Sequence, residues 1–135
     1  TEKKVQFNEE IKTYGYEDVL FIIENQLKPK YIKNPLLHLG IKDTIDYIKD
    51  TESAIENLMN FYKISKNNKK IKIMQTYHII SKLKLTNILA TLFQLFKPLI
   101  LKNIKSNYPS LLLFQIYKIG FLVHILVNRK LTKKR

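Results

Sequence analysis

Three histidines, 11 carboxylates and no cysteine are the raw material from which this chain of 135 residues could build a reactive site. Nucleophilic catalysis needs a nucleophile beside a base, with a third group orienting that base. No cysteine is present, and His78 and His124 have no acidic neighbours in the sequence, so no such trio can be put together. A metal site would call for His or carboxylates one helical turn apart. His38, His78 and His124 are far from one another along the chain, and every Asp and Glu lies at or before Glu56. Asp43 with Asp46, and Glu52 with Glu56, do share helical faces, but on a surface helix such pairs are solvated or matched with lysine. Gly15, Gly40 and Gly120 stand alone, so no glycine-rich turn is available to cradle a phosphate. The expectation is a non-enzymatic chain without cofactor or metal, whose chemistry is that of a binding surface.

Charge shows where that surface lies. The formal net charge is +13, but the two signs are segregated: residues 1–60 hold all 11 acids and eight lysines, whereas residues 61–135 hold 16 Lys and Arg and no acid. A field of one sign attracts and steers polyanions, so nucleic acid, an anionic membrane surface and an acidic peptide are all suitable ligands. Heavy use of Lys, Asn and Ile accounts for part of this basicity by composition alone, but not for the complete exclusion of acids from the second half. There, apolar and aromatic residues (Tyr62, Tyr77, Phe93, Phe96, Tyr108) interleave with Lys63, Lys66, Lys82, Lys84, Lys97 and Lys102. Most of these aromatics are expected to be core.

The elements that position these residues are helices. With 3 Gly and 4 Pro against long runs of Leu, Ile and Lys, composition argues against a hairpin-rich β architecture, and an all-α fold is expected. After a polar lead over residues 1–16, in which the polar and charged stretch Thr1 to Glu10 is not expected to act as a secretory signal, Glu17 to Leu27 carries a wide apolar stripe. Asn34-Pro35 reads as the start, and Gly40 as the left-handed end, of a helix of barely two turns. A helix over 41–49 follows, and Asp50 or Thr51 caps another carrying Ala54 to Tyr62. Residues 64–72 form the most polar stretch and a linker, with a turn at Asn67-Asn68. Beyond it the spacing predicts helices over 73–85, 87–97 (with Thr86 as N-cap) and 99–105, with a kink or break at Pro98. Another break covers 106–109, and a terminal helix runs from about Pro109 to Leu131. Its core, Leu111 to Val127, is interrupted by Gln115, Lys118 and His124 and is slightly shorter than the roughly 20 apolar residues of a bilayer span. A buried terminal helix is expected in preference to a membrane segment.

Four landmarks in order resemble the conserved core of the Iws/Spn family of transcription elongation factors, which interacts with the histone chaperone Spt-six. Gln26-Leu27-Lys28 and then Leu36 to Ile48 are similar to that family's Leu-Lys, apolar pair, Gly and following helix. Ile55 to Phe61 resembles its leucine-rich helix, and Met74 to Leu83 takes the place of its next segment, with Ile79 and Leu83 agreeing in type. Leu92 to Leu99 (Leu-Phe-Gln-Leu-Phe-Lys-Pro-Leu) and Ser106-Asn107-Tyr108 resemble its closing motifs. Tyr47-Ile48 stands where the family has Trp-Leu, His78 and Ile80 where it has glycines, Phe96 where it has Trp, and residues 111–135 have no counterpart.

The resemblance covers residues 18–108. It implies one helical domain with a short helical-repeat-like (HEAT-like) part over 17–63, a bundle similar to the TFIIS N-terminal domain over 73–108, and an extra terminal helix over 109–131. It also implies a nuclear scaffold of RNA polymerase II elongation that captures an acidic, disordered segment of the chaperone. By position, Leu83, Phe93 and Phe96 are expected to line or support the pocket, and Lys82, Lys84 and Lys97 to form its basic rim. A basic nucleic-acid-binding helical protein and a membrane-surface or organellar assembly subunit are the alternatives.

Overall fold

The computed structural model describes residues 15–34, 40, 42–62 and 71–132, and over these the chain is helical, with five helices and no strand. The expected short helix after Pro35 and the turn at Asn67-Asn68 lie outside the described residues. The chain divides into two compact units, Thr1–Asn67 and Asn68–Arg135. The division falls between the second and third helices, within the interval where the charge changes.

In the first unit, α1 (Glu17–Glu24) follows two left-handed residues, Gly15 (φ 113) and Tyr16 (φ 66). Gly15 is required twice over: its φ penalises a side chain, and a Cβ there would come within 2.7 Å of the Ala54 Cα. Its N–H donates to the Glu17 carboxylate at 2.6 Å, and Glu17 and Asp18 complement the positive end of the helix dipole. The helix buries Leu20 and Ile23 and stops at Glu24, short of the expected Leu27. Gln26 turns left-handed (φ 55), so that its N–H donates to the Ile23 carbonyl and that of Leu27 to the Ile22 carbonyl. This is a Schellman ending with Gln26 in the place glycine usually takes.

The two helices expected over 41–62 are one, α2 (Thr44–Tyr62). Asp43 caps it, its carbonyl accepting from the Tyr47 N–H at 2.9 Å. Neither Asp50 nor Thr51 interrupts it: the Thr51 hydroxyl donates back to the Tyr47 carbonyl at 2.8 Å, as a mid-helix threonine does, and Asp50 pairs with Lys42. With no Gly or Pro between residues 44 and 62, nothing stops propagation. Ile48, Ile55, Leu58 and Met59 form the buried stripe.

In the second unit, α3 (Lys72–Lys82) and α4 (Thr86–Ile104) meet at a sharp corner, and α5 (Leu111–Thr132) packs along α4 and also touches α3. The corner is a second Schellman ending, with Lys84 left-handed (φ 59) and the Leu85 N–H donating to the Ile80 carbonyl. Leu83 and Lys84 therefore belong to a turn, not to the helix expected over 73–85. Thr86 is the first helical residue; Leu85 holds the N-cap position.

Pro98 does not break α4, which runs continuously through it. An internal proline removes one backbone bond and costs roughly 3 kcal/mol. Burial of Ala90, Phe93, Ile100 and Ile104, on both sides of the proline, offsets that cost. The expected break over 106–109 is present. Ser110 caps α5, accepting from the Phe114 N–H through its carbonyl at 3.0 Å. The Asn103 side chain accepts from the Ser110 N–H at 2.9 Å and ties the two helix ends together. The core of this unit is Met74 and Tyr77 from α3, the four α4 residues, and Tyr117, Phe121, Leu122 and Val123 from α5.

Candidate docking groove

Along one side of the α4–α5 pair runs an apolar groove of about 120 Å³. Its α4 wall is Leu89, Leu92, Phe96 and Ile100; its α5 wall is Ile116 and Ile119; Phe93, Gly120 and Val123 form its floor. On α4 these residues fall at i, i+3, i+4, i+7 and i+11, one sector of a helix. Gly120 makes the floor possible. A Cβ there would lie 2.8 Å from the Phe93 Cγ, so its absence lets the Phe93 ring lie flat against α5, edge-on to Tyr117 with centroids 5.6 Å apart.

The six residues singled out from the sequence separate into three groups. Phe93 and Phe96 both line the groove, Phe93 as a buried base at 5% exposure and Phe96 as an accessible wall at 46%. Lys82, Leu83 and Lys84 sit together at the α3–α4 corner, all exposed; Leu83, at 62% exposure, lies in the turn and is not part of the groove lining. Lys97, expected on the rim, instead faces α5. Its ammonium lies 5.9, 5.7 and 5.4 Å from the ring centres of Phe93, Tyr117 and Phe121. One helical turn beyond Phe93, the side chain leans back over the aromatic cluster, where cation–π attraction of about 0.5–2 kcal/mol holds it.

The opposite side of the same helix pair is polar. Asn87, Thr91 and Gln94 of α4 face His124 and Asn128 of α5 across an open depression. The Gln94 amide nitrogen lies 3.3 Å from both ring nitrogens of His124, and the Asn128 amide nitrogen 3.1 Å from Nε2. Nearer the start of α5, the Lys118 ammonium sits 5.2 Å from the Phe114 ring centre, and burial lowers its pKa below the ordinary lysine value. Among the described residues no group of three or more His, Asp or Glu is placed to hold a metal.

Leu89, Ile100, Ile116, Ile119 and Val123 were not singled out from the sequence, and Leu92 and Gly120 were noted there without a place in a groove. The pairing of Gly120 with Phe93, 27 positions apart, leaves no local signal. The surplus of apolar residues on α4 was a usable one: Ile88, Leu92, Leu95, Phe96 and Leu99 exceed what one neighbouring helix can cover, and all five remain exposed.

The terminal helix also differs in degree from the buried element expected. Its middle is core, but Leu111, Leu112 and Ile116 are exposed, and the stretch Leu111–Lys130 is long and apolar enough to cross a membrane by length and composition. Comparison with family models, with curated proteins and with solved structures gives no match to the chain.

Proposed function

We propose that the second unit is a non-enzymatic docking module that holds an acidic, amphipathic segment of a partner protein in the α4–α5 groove. The observation that carries this reading is an apolar groove with an accessible aromatic wall, on a unit containing no acidic residue. The two features have separate tasks. Lys82 and Lys84 steer an acidic segment and raise its encounter rate; one or two apolar anchors then displace water from between Leu92, Phe96 and Ile116, where most of the affinity resides. Helix-in-groove recognition has this form.

The resemblance to the Iws/Spn family supplies the setting: a nuclear scaffold of transcription elongation whose partner is the Spt-six-like histone chaperone. The test is a titration of the purified chain with the acidic segment of that chaperone. Phe96→Asp is expected to weaken binding at least tenfold, about 1.4 kcal/mol. Lys82→Glu with Lys84→Glu is expected to slow association and flatten its salt dependence. Equal binding by all variants, or none by the wild type, overturns the reading. Affinity instead for arbitrary DNA, falling steeply with salt, would point to phosphate contact as the function.

A second reading has its own observation. Leu111–Lys130 has span length and composition, only 28% of it is buried, and it ends on the basic pair Arg129 and Lys130, all of which suit a lipid-facing helix. Flotation of the chain with anionic vesicles, lost on Leu111→Gln with Leu112→Gln, would establish that alternative.

A further inference from the structure

Beside the groove, and sharing only Leu92 with it, α4 has a second apolar feature whose other members the anchors in the groove do not touch. Ile88, Leu92, Leu95 and Leu99 follow one another at spacings of four, three and four, and Leu85 at the N-cap extends the series by a further three. This is the a/d spacing of a heptad, which places all of them on one stripe of the helix. The stripe faces outward: Ile88, Leu95 and Leu99 are 57%, 68% and 62% exposed, while the opposite face of α4, with Ala90 and Lys97, is turned toward α5. A helix that needed only to pack on α5 gains nothing from this second seam, and open water penalises it by roughly 25 cal/mol per Å² of apolar area.

We infer that this stripe is half of a two-helix coiled-coil seam, and that its occupant is a helix of another protein with apolar residues at the same alternating spacing and carboxylates at both ends. The inference rests on the docking-module reading and gives its partner a register and a length. Charge selects the occupant. Lys82 and Lys84 lie at one end of the stripe, Lys102 and Lys105 at the other, and no acid occurs anywhere in the unit. A second copy of α4, parallel or antiparallel, would therefore bring lysines against lysines at both ends, whereas an acid-flanked helix neutralises both. From Leu85 to Leu99 the stripe spans about 20 Å at 1.5 Å per residue, which asks for two heptads of partner. The basic residues stand at the two ends of the stripe, and Lys97, between them, is turned to α5, which matches a helix carrying carboxylates at both ends and a bare apolar seam between; lipid is the competing outcome of the test.

The probe is a synthetic peptide of 21 residues, with Leu and Ile at the a and d positions of two central heptads, Gln and Ala between them, and Glu at both ends. The full chain is titrated with it, and binding is followed by fluorescence anisotropy and by gain of helical circular dichroism. Saturable binding with helix gain is expected. Leu95→Gln and Leu99→Gln should each weaken it at least tenfold, while Leu112→Gln, exposed on α5 outside the stripe, leaves it unchanged. Both seam residues are exposed, so the variants should keep the wild-type melting curve, which is recorded to check this.

Several results overturn the inference: no binding of the peptide, equal binding of a sequence-scrambled peptide of the same composition, or seam variants that bind like the wild type. Self-association in sedimentation that Leu95→Gln abolishes would assign the stripe to a second copy. Anionic-vesicle binding abolished by the same change would assign it to lipid. If Phe96→Asp weakens the chaperone segment while the seam variants do not, the groove reading stands and the seam inference falls.

Discussion

α2 and α4 are both 19 residues long, yet they treat their outward faces in opposite ways. α2 buries Ile48, Ile55, Leu58 and Met59 and, apart from the exposed Ile45 and Tyr47 in its first turn, gives solvent a polar series, Asp46, Lys49, Ser53, Glu56 and Asn60. α4 buries a comparable stripe but turns Ile88, Leu92, Leu95 and Leu99 outward. Isolated apolar residues at a surface are ordinary; a contiguous apolar face is characteristic of an interaction site. The contrast separates what a helix needs in order to fold from what it holds for something else. In α2 the two demands coincide with the two faces of one amphipathic pattern, and in α4 a second apolar face has been added.

The largest expected effects test that separation directly. Ile55→Ala removes a fully buried side chain and should cost about 2–5 kcal/mol. Leu95→Ala, on the outward face of α4, should stay within roughly 0.5 kcal/mol. Paired urea denaturation curves check both, and a cost at Leu95 equal to that at Ile55 would break the comparison.

Pro98→Ala is the next in size. It restores the backbone donor that α4 lacks and should stabilise the second unit by roughly 1–3 kcal/mol, read as a later unfolding midpoint. No gain would mean that the helix has already relaxed around the proline, and that packing against α5 is not what keeps it continuous there.

The smallest effect concerns the first unit. Burial raises the Tyr16 phenol above its ordinary value of 10.0, so the unfolded chain loses this proton first. The stabilising contribution is therefore complete below about pH 10 and is lost as pH rises through the folded-state value. Stability measured across that alkaline window should fall less steeply in Tyr16→Phe than in the wild type.

Much of the architecture was legible because it is local. Apolar periodicity and the Ser106–Pro109 break each act within a few residues and mark elements close to where they occur, whereas Asp43, read as lying inside a helix over 41–49, caps α2 instead. Errors arose where a local signal met a stronger neighbour. Thr51 has the chemistry of a cap but bonds backward inside an unbroken helix, and Pro98 has the chemistry of a breaker but lies between buried residues on either side. Gln26 and Lys84 end their helices in the left-handed conformation without being glycine, so composition alone did not mark those ends.

Helical class and the segregation of charge are properties of composition and short spacing, and the amino-acid sequence determined them unaided. Which apolar residues stay in water was decided only when α5 chose a side of α4. That choice made Phe93 a floor and Phe96 a wall, drew Lys97 over three rings, and left Leu95 and Leu99 outward. The physical reason is that a helix with apolar residues on most of its circumference has several faces able to bury, and only the packing partner, fitted here through the missing side chain of Gly120, selects one.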